Sequence, residues 1–139
     1  MTSSGEKFKS YNLLPISKEI RYSEGGLRVE KVNKKKIDNL PFISIITVVK
    51  NGEKYLDGTI NSVLNQTYKN YEYIIVDGGS KDSTINIIKE YSSKIDYWVS
   101  ETDQGLYDAS NKGMMLAKGD FIGIINSDDI YLPNSLEIL

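Results

Sequence analysis

The sequence contains neither cysteine nor histidine among its 139 residues. These absences exclude a disulfide framework, a thiol nucleophile, an imidazole base and the sulfur and nitrogen ligands that zinc prefers. Any site chemistry in this chain therefore uses oxygen atoms, and hard oxygen ligands select Mg²⁺ or Mn²⁺. The lack of cysteine also fits a reducing compartment, so we expect a cytoplasmic protein.

Long hydrophobic runs are missing as well. No apolar stretch approaches the ~20 residues that a membrane-spanning helix needs, and the polar start lacks the hydrophobic region of a secretory signal. Lys and Arg outnumber Asp and Glu in residues 1–40, whereas the acids dominate residues 41–139. We therefore predict a basic N-terminal arm or linker at 1–40, followed by one acidic domain at 41–139.

The charge distribution limits the partners of the chain. The acidic domain argues against nucleic acid, because backbone phosphates require a basic surface. The lysine run at 34–36 suits peripheral contact with the inner face of the cell membrane or with a pyrophosphate-bearing acceptor. A solvated linker is the simpler interpretation of so short a run.

Strand-like and helix-like patterns alternate from Pro41 onwards. A nearly continuous β-branched run at 42–49 predicts a strand covered on both faces. Shorter apolar runs predict three more strands, at 73–76, 97–99 and 121–125. Apolar residues at helical spacing lie between and after these strands, the last helix beginning near Pro133. This βαβαβαβα order predicts an α/β fold with a mostly parallel sheet.

The two ends of the chain are less regular. Before Pro41 we predict only one short strand, at 27–32, after the break at Gly25 and Gly26. At the other end, the chain stops within the first turns of its last helix. Because a cap or polar residues usually end a helix, we expect the sequence to be a fragment.

Three predicted loops follow strands and should meet at the carboxyl edge of the sheet, at 48–53, 77–82 and 126–130. In the second loop, Asp77 precedes two glycines and can face a ligand, although it can also be the first residue of a tight turn. Asp82 or Ser83 is the expected cap of the next helix.

The third loop carries two adjacent acids, Asp128 and Asp129. A solvated turn is one interpretation of this pair. Two like charges repel, however, and a divalent cation relieves the repulsion. A cation held there would neutralise a leaving diphosphate without any histidine. We expect Asp77 to join the pair around one ion.

The predicted helix after residue 105 carries a second polar group. Asp108 and Lys112 have the spacing and signs of a surface ion pair. Alternatively, Lys112 meets a phosphate and Asp108 a sugar hydroxyl.

Ordered motifs now connect these loops to a known family. The segments ISIITVVKNG at 43–52, SVLNQTY at 62–68, IVDGGSKDST at 75–84 and NSDD at 126–129 resemble the nucleotide-binding half of inverting GT-A glycosyltransferases of family two. The segment GLYDASNKG at 105–113 is similar to bacterial enzymes that extend surface polysaccharides. The resemblance implies a GT-A, Rossmann-like fold that is truncated after its Asp-x-Asp region.

The resemblance also implies roles for individual residues. It implies nucleotide contacts from Thr47, Val49, Asn51, Asp77 and Asp128. It implies that Asp128 and Asp129 bind Mn²⁺ or Mg²⁺. It implies sugar or phosphate contacts from Asp108, Asn111, Lys112 and Gly113. The general base of the family lies on a later acidic motif, so we expect it beyond Leu139.

The function implied by the resemblance is metal-dependent, inverting transfer of a sugar from a nucleotide-diphosphate donor, most simply a UDP-sugar. The implied acceptor is a glycan or a polyprenyl-lipid-linked glycan in bacterial polysaccharide biosynthesis. A non-catalytic nucleotide-binding or metal-binding module is the alternative, because the half with the catalytic base is missing from this sequence.

Overall fold

The computed structural model describes residues 11–14, 21–32, 34, 36–102 and 106–138. Its elements in chain order are β1 (Arg21–Gly25), β2 (Ile43–Val49), α1 (Leu56–Leu64), β3 (Tyr71–Asp77), α2 (Thr84–Glu90), a 3₁₀ turn (Ser92–Lys94), β4 (Tyr97–Glu101), α3 (Leu106–Leu116), β5 (Phe121–Asn126) and α4 (Ser135–Ile138). Within these residues the strands form one sheet in the order β1-β4-β3-β2-β5. Only β1 runs antiparallel to its neighbour, which confirms the predicted α/β fold with a mostly parallel sheet.

The core lies on both faces of the central strands. Every residue of β2 and of β3 is buried. Alternate residues belong to different clusters: Ile45 packs with Leu56 and Ile60 of α1, whereas Ile46 packs with Leu116 of α3. Burying one such side chain contributes roughly 1.5–3 kcal/mol, so the two clusters hold helices on both sides of the sheet. Within the described ranges, no helix combines the length and apolar character needed to cross a bilayer.

The predicted strand at 27–32 is wrong. The strand lies earlier, at Arg21–Gly25, and pairs with β4. Gly26 has φ of 99°, a left-handed conformation that turns the chain out of the strand. The residues after Gly26 form turns, in which Val32 N donates to Leu27 O at 2.9 Å. Part of the segment predicted as an arm thus belongs to the sheet, while the domain boundary at residue 40 stays a prediction.

A buried carboxylate ties the N-terminal segment to the amino edge of the sheet, where the parallel strands begin. Glu72 accepts hydrogen bonds from Arg28 Nη2 at 2.6 Å, Ser44 Oγ at 2.5 Å and Lys118 N at 2.7 Å. Arg28 also donates through Nη1 to the carbonyl of Tyr11 at 3.0 Å. These donors compensate the burial of the carboxylate, so Glu72 fixes the chain around it.

Two helical glycines offer a matched test of the packing. A Cβ on Gly113 would lie 2.5 Å from Ile46 Cγ2, whereas a Cβ on Gly58 would meet only Ile130 Cδ1 at 3.8 Å. Both alanine variants gain helix propensity, but only Gly113→Ala overpacks the contact between α3 and β2. We expect Gly113→Ala to be about 1–3 kcal/mol less stable than Gly58→Ala in urea unfolding. Equal stabilities would show that α3 does not pack this closely.

A second buried acid, Asp96, generates a pH-dependent prediction. Its carboxylate accepts from Tyr73 N at 2.7 Å and pairs with Lys34 at 3.3 Å. Burial raises the pKa of Asp96 above its usual value, against the opposing effect of Lys34. A raised folded-state pKa stabilises the fold below the unfolded-state pKa, and this contribution is lost as the pH rises through the folded-state pKa.

We therefore expect wild-type protein to gain stability relative to Asp96→Asn as the pH falls from neutral. The measurement is the difference between their free energies of unfolding in urea across a pH series. The other ionisable groups titrate in both proteins, so their contributions cancel to first order. A difference that stays constant, or that shrinks on acidification, would contradict the prediction.

Candidate active site

The parallel strands end together at the carboxyl edge of the sheet. The register pairs Val49 at the end of β2 with Asp77 at the end of β3. On the other side of β2, Val48 pairs with Asn126 at the end of β5. The loops that follow β2, β3 and β5 therefore begin side by side, as the sequence predicts.

Hydrogen bonds join the first loop to the second. Asn51 N donates to Ser80 Oγ at 2.7 Å, and Lys81 N donates to Asn51 Oδ1 at 2.8 Å. Gly52 N donates to Thr84 Oγ1 at 2.9 Å. Asn51 has φ of 51°, a left-handed conformation that asparagine tolerates better than most residues. Asn51 is exposed and also orders the backbone of the neighbouring loop.

The third loop is held against the first. A Cβ on Gly52 would lie 2.6 Å from Val49 Cγ2 and 3.1 Å from Ser127 Oγ, so only glycine lets these loops approach so closely. The buried Thr59 hydroxyl of α1 lies 2.9 Å from Ser127 O and 2.6 Å from Asp129 O. These contacts bring all three loops to one place, at the carboxyl end of β2.

Asp77 lies inside this arrangement and is completely buried. Its Oδ2 atom accepts from Gly79 N at 3.0 Å, Ser80 N at 2.9 Å and Ser100 Oγ at 2.7 Å, while Oδ1 accepts from Ser80 Oγ. The carboxylate thus faces its own turn and β4, which agrees with the interpretation of Asp77 as the first residue of a tight turn. Its contact with a nucleotide stays a prediction.

Asp128 and Asp129 are exposed on the third loop. Asp129 N donates to Asn126 O at 3.0 Å, which closes a turn directly after β5. The part of the chain that the structure describes contains no group of three or more acids that could hold a metal ion. The expectation that Asp77 joins the pair around one ion is therefore wrong, because the Asp77 carboxylate is used within the protein.

The pair alone still fits a magnesium or manganese ion. Mg²⁺ keeps several waters and is usually bound by one or two carboxylates together with substrate phosphates. Asp128 and Asp129 supply such oxygen atoms from an exposed loop. The donor set of this chain therefore suits an ion that a diphosphate would help to hold.

Lys112 of α3 is held by acids. Its Nζ atom lies 3.3 Å from Asp108 Oδ2 and 3.1 Å from Glu101 Oε1 at the end of β4, and it donates to Thr102 O at 3.2 Å. The predicted ion pair between Asp108 and Lys112 is thus confirmed, and Glu101 is an additional partner. The Lys112 side chain is only 12% exposed, so it links α3 to the carboxyl edge.

Two predicted site residues have packing roles. Thr47 is fully buried and its hydroxyl lies 2.8 Å from the hydroxyl of Tyr73, whose pKa is raised by burial. Gly113 is buried against Ile46, as described above. Both residues thus have packing contacts in the described structure, and their contact with a ligand stays a prediction. Asn111 is exposed on the same helix as Gly113 and stays a candidate.

Sequence reasoning missed the residues that order the loops. The sequence pattern could have indicated Thr59, since it is a polar residue on the buried face of α1, beside Leu56, Ile60 and Val63. The sequence could not have indicated Ser100, because a serine in a short strand does not show which carboxylate it will contact. The N-cap position of α2 is Ser83 and not Asp82, but Asp82 accepts from Thr84 N at 2.9 Å and so contacts the first residue of the helix.

Mutation distinguishes the buried Asp77 from the exposed Asp128 by their effects on stability. Asp77→Asn replaces an acceptor of four hydrogen bonds with a group that also donates, so we expect a loss of about 1–3 kcal/mol in stability without any ligand. Asp128→Asn changes an exposed side chain and serves as the matched control, with an expected change within about 0.5 kcal/mol. Chemical unfolding measures both variants. Equal stabilities would show that the Asp77 carboxylate does not order its turn.

Comparison with known proteins agrees with this geometry. The profile of Glycosyl transferase family 2 matches residues 44–139. An uncharacterized glycosyltransferase of Rickettsia typhi is 43% identical over 97 residues, which cover 70% of this chain and 30% of that protein. The chondroitin synthase of Escherichia coli is 32% identical over 111 residues, covering 78% of this chain and 16% of the synthase. The chain thus spans less than a third of these relatives.

Solved structures show the same fold. S. aureus TarS 1–349 in complex with UDP-GlcNAc matches with a TM-score of 0.64 and 26% identity, over 70% of this chain and 29% of TarS. A mannosyltransferase from Pyrobaculum calidifontis, in complex with GDP-Man and Mn²⁺, matches with a TM-score of 0.62 and 21% identity, over 76% of this chain and 34% of that protein. The sheet is therefore of GT-A type. On the family match and these relatives together, the chain belongs to glycosyl transferase family 2.

Proposed function

We propose that this chain provides the donor site of a glycosyltransferase that uses a UDP-sugar. The observation that carries the proposal is the convergence of three loops at the carboxyl edge, with Asp128 and Asp129 exposed on one of them. Open α/β sheets bind ligands outside the carboxyl ends of their strands. The complex of TarS with UDP-GlcNAc supports this class of donor.

Within the proposed site, the exposed residues of the rim contact the donor. Asn51 and Asp128 contact the nucleotide, and Asn111 contacts the sugar or a phosphate. Val49 contributes through its backbone, since its side chain is buried. Asp77 contributes by ordering the turn 77–80 through its hydrogen bonds. In this assignment the exposed residues at the carboxyl edge contact the donor, and the buried side chains hold the loops in place.

We further propose that Asp128 and Asp129 hold Mn²⁺ or Mg²⁺. The ion would supply positive charge to the departing diphosphate as its bond to the sugar breaks. The chain itself contributes the two carboxylates, and the hydrogen bonds of Thr59 fix the backbone that carries them. Lys112 adds little net charge while it pairs with Asp108 and Glu101, so its contact with a phosphate stays a prediction.

The rest of the reaction extends beyond the described loops. We propose inverting transfer to a glycan or a polyprenyl-lipid-linked glycan on the cytoplasmic side of a bacterial membrane. The chondroitin synthase among the relatives supports a glycan acceptor. Inversion needs a base on the face of the sugar opposite the diphosphate, and we expect that base beyond Leu139, which lies outside the described residues.

Isothermal titration of UDP tests the metal site. We expect Mn²⁺ to tighten UDP binding to the wild-type chain, and EDTA to reverse this gain. Asp128→Asn and Asp129→Asn should each lose about tenfold in Mn²⁺-dependent affinity, because each removes one carboxylate from the ion. Glu90→Gln, an exposed change on α2, is the control and should bind as the wild type does.

The proposal fails if UDP affinity is the same with Mn²⁺ and with EDTA, or if the aspartate variants match the control. Hydrolysis of UDP-GlcNAc then separates the enzyme from the alternative, a binding module. Turnover with Mn²⁺ supports an active donor site, whereas binding without turnover supports a module. This alternative is retained because the chain spans less than a third of the length of the two glycosyltransferase relatives named above.

A further inference from the structure

A pocket lies at the amino edge of the sheet, opposite the proposed donor site. Phe42 precedes β2, Glu72 lies at the start of β3, Asp96 precedes β4 and Lys118 precedes β5. The seven residues of β2 extend for about 20 Å at ~3.3 Å per residue, so the two sites are well separated. The volume of about 330 Å³ lies within the usual range of ligand pockets, about 300–1,000 Å³. We call it the amino-edge pocket.

Cations outnumber acids in this pocket. Its charged lining consists of Arg28, Lys34, Lys36, Lys118, Glu72 and Asp96. Both acids already have cationic partners: Glu72 accepts from Arg28 at 2.6 Å, and Asp96 pairs with Lys34 at 3.3 Å. Two ammonium groups are left over after these pairs are formed.

Neither Lys36 nor Lys118 forms an ion pair with an acid among the described residues. Lys36 Nζ lies 4.6 Å from the centre of the Phe42 ring, and Lys118 Nζ donates to the side-chain carbonyl of Asn12. Partial burial, and then the charge of Arg28, lower the pKa of Lys118, and the attraction of Glu72 and Asp96 only partly opposes this effect. A lowered pKa means that the protein around Lys118 does not fully compensate its charge, so an anion bound there would be stabilised.

We propose that the amino-edge pocket binds a phosphate group through Lys36 and Lys118. Lysine binds phosphate as a compact point charge, and two uncompensated lysines suit a multiply charged anion better than a single carboxylate. Phe42 and the half-exposed Val32 give the same pocket an apolar wall, which suits carbon atoms next to the phosphate. The phosphate belongs to a soluble phosphate compound or to a lipid headgroup, and both present the same chemistry. This inference does not depend on the donor site.

Titration of the chain with inorganic pyrophosphate tests the proposal. EDTA is present throughout, so that a metal at Asp128 and Asp129 cannot contribute, and low salt keeps the lysines unscreened. We expect the double variant Lys36→Gln, Lys118→Gln to bind pyrophosphate about tenfold or more weakly than the wild type. The control is Lys69→Gln, Lys89→Gln, which removes two exposed lysines outside the pocket and should change the affinity less than about twofold.

Circular dichroism checks that both double variants fold. The bond from Lys118 to Glu72 comes from the backbone, so Lys118→Gln retains it. Sedimentation with vesicles of phosphatidylglycerol, compared with phosphatidylcholine, identifies the source of the phosphate. Sedimentation that the pocket variant loses supports a lipid headgroup, and pyrophosphate binding without sedimentation supports a soluble phosphate. The proposal is wrong if neither probe binds, or if both double variants lose affinity equally.

Discussion

The parallel register of β2 with β3 and β5 is the constraint on which the site depends. It places the ends of three strands side by side, and therefore determines which loops can meet. The register is fixed because successive residues of β2 belong to different clusters, Ile45 on one face and Ile46 on the other. A slip of one residue would exchange the two faces and misplace both sets of helix contacts.

Polar side chains then convert this alignment into a defined rim. Hydrogen bonds of Asn51, Ser80 and Thr84 join the first two loops. The hydroxyl of Thr59 on α1 contacts the backbone of the third loop. The Asp77 carboxylate accepts hydrogen bonds from its own turn and from β4, whereas Asp128 and Asp129 are exposed. The same residue type thus has a structural role in one loop and is available to a cation in another. Burial and the number of donors distinguish the two roles.

The sequence predicts the parts of this structure that depend on local pattern. The apolar run of β2 and the helical spacing of Leu56, Ile60 and Val63 are local, and the structure contains both elements as predicted. β1 is not local: its residues RYSEG are mostly polar, and they form a strand only through pairing with β4, about 75 residues later. A propensity for strand at 27–32 was overridden by the turn at Gly26.

The orientation of Asp77 was unpredictable for a similar reason. The spacing of the motif locates Asp77 at the end of a strand, but the direction of its carboxylate depends on Ser100, which lies on another strand. The family resemblance likewise identifies the loops and the acidic pair without showing which carboxylate is buried. Thr47 shows the same limit, since only the position of Tyr73 reveals where its hydroxyl points.

The two edges of the sheet carry opposite unbalanced charge, which the net charge of −2 conceals. At the amino edge, each buried acid needs one cation, yet Lys36 and Lys118 remain beyond that requirement. At the carboxyl edge the surplus is negative, at Asp128 and Asp129. About 20 Å of β2 separates the edges, and the Debye length at physiological salt is about 8 Å. Charges at one edge are therefore largely screened from the other, so an anion at the first and a cation at the second would bind independently.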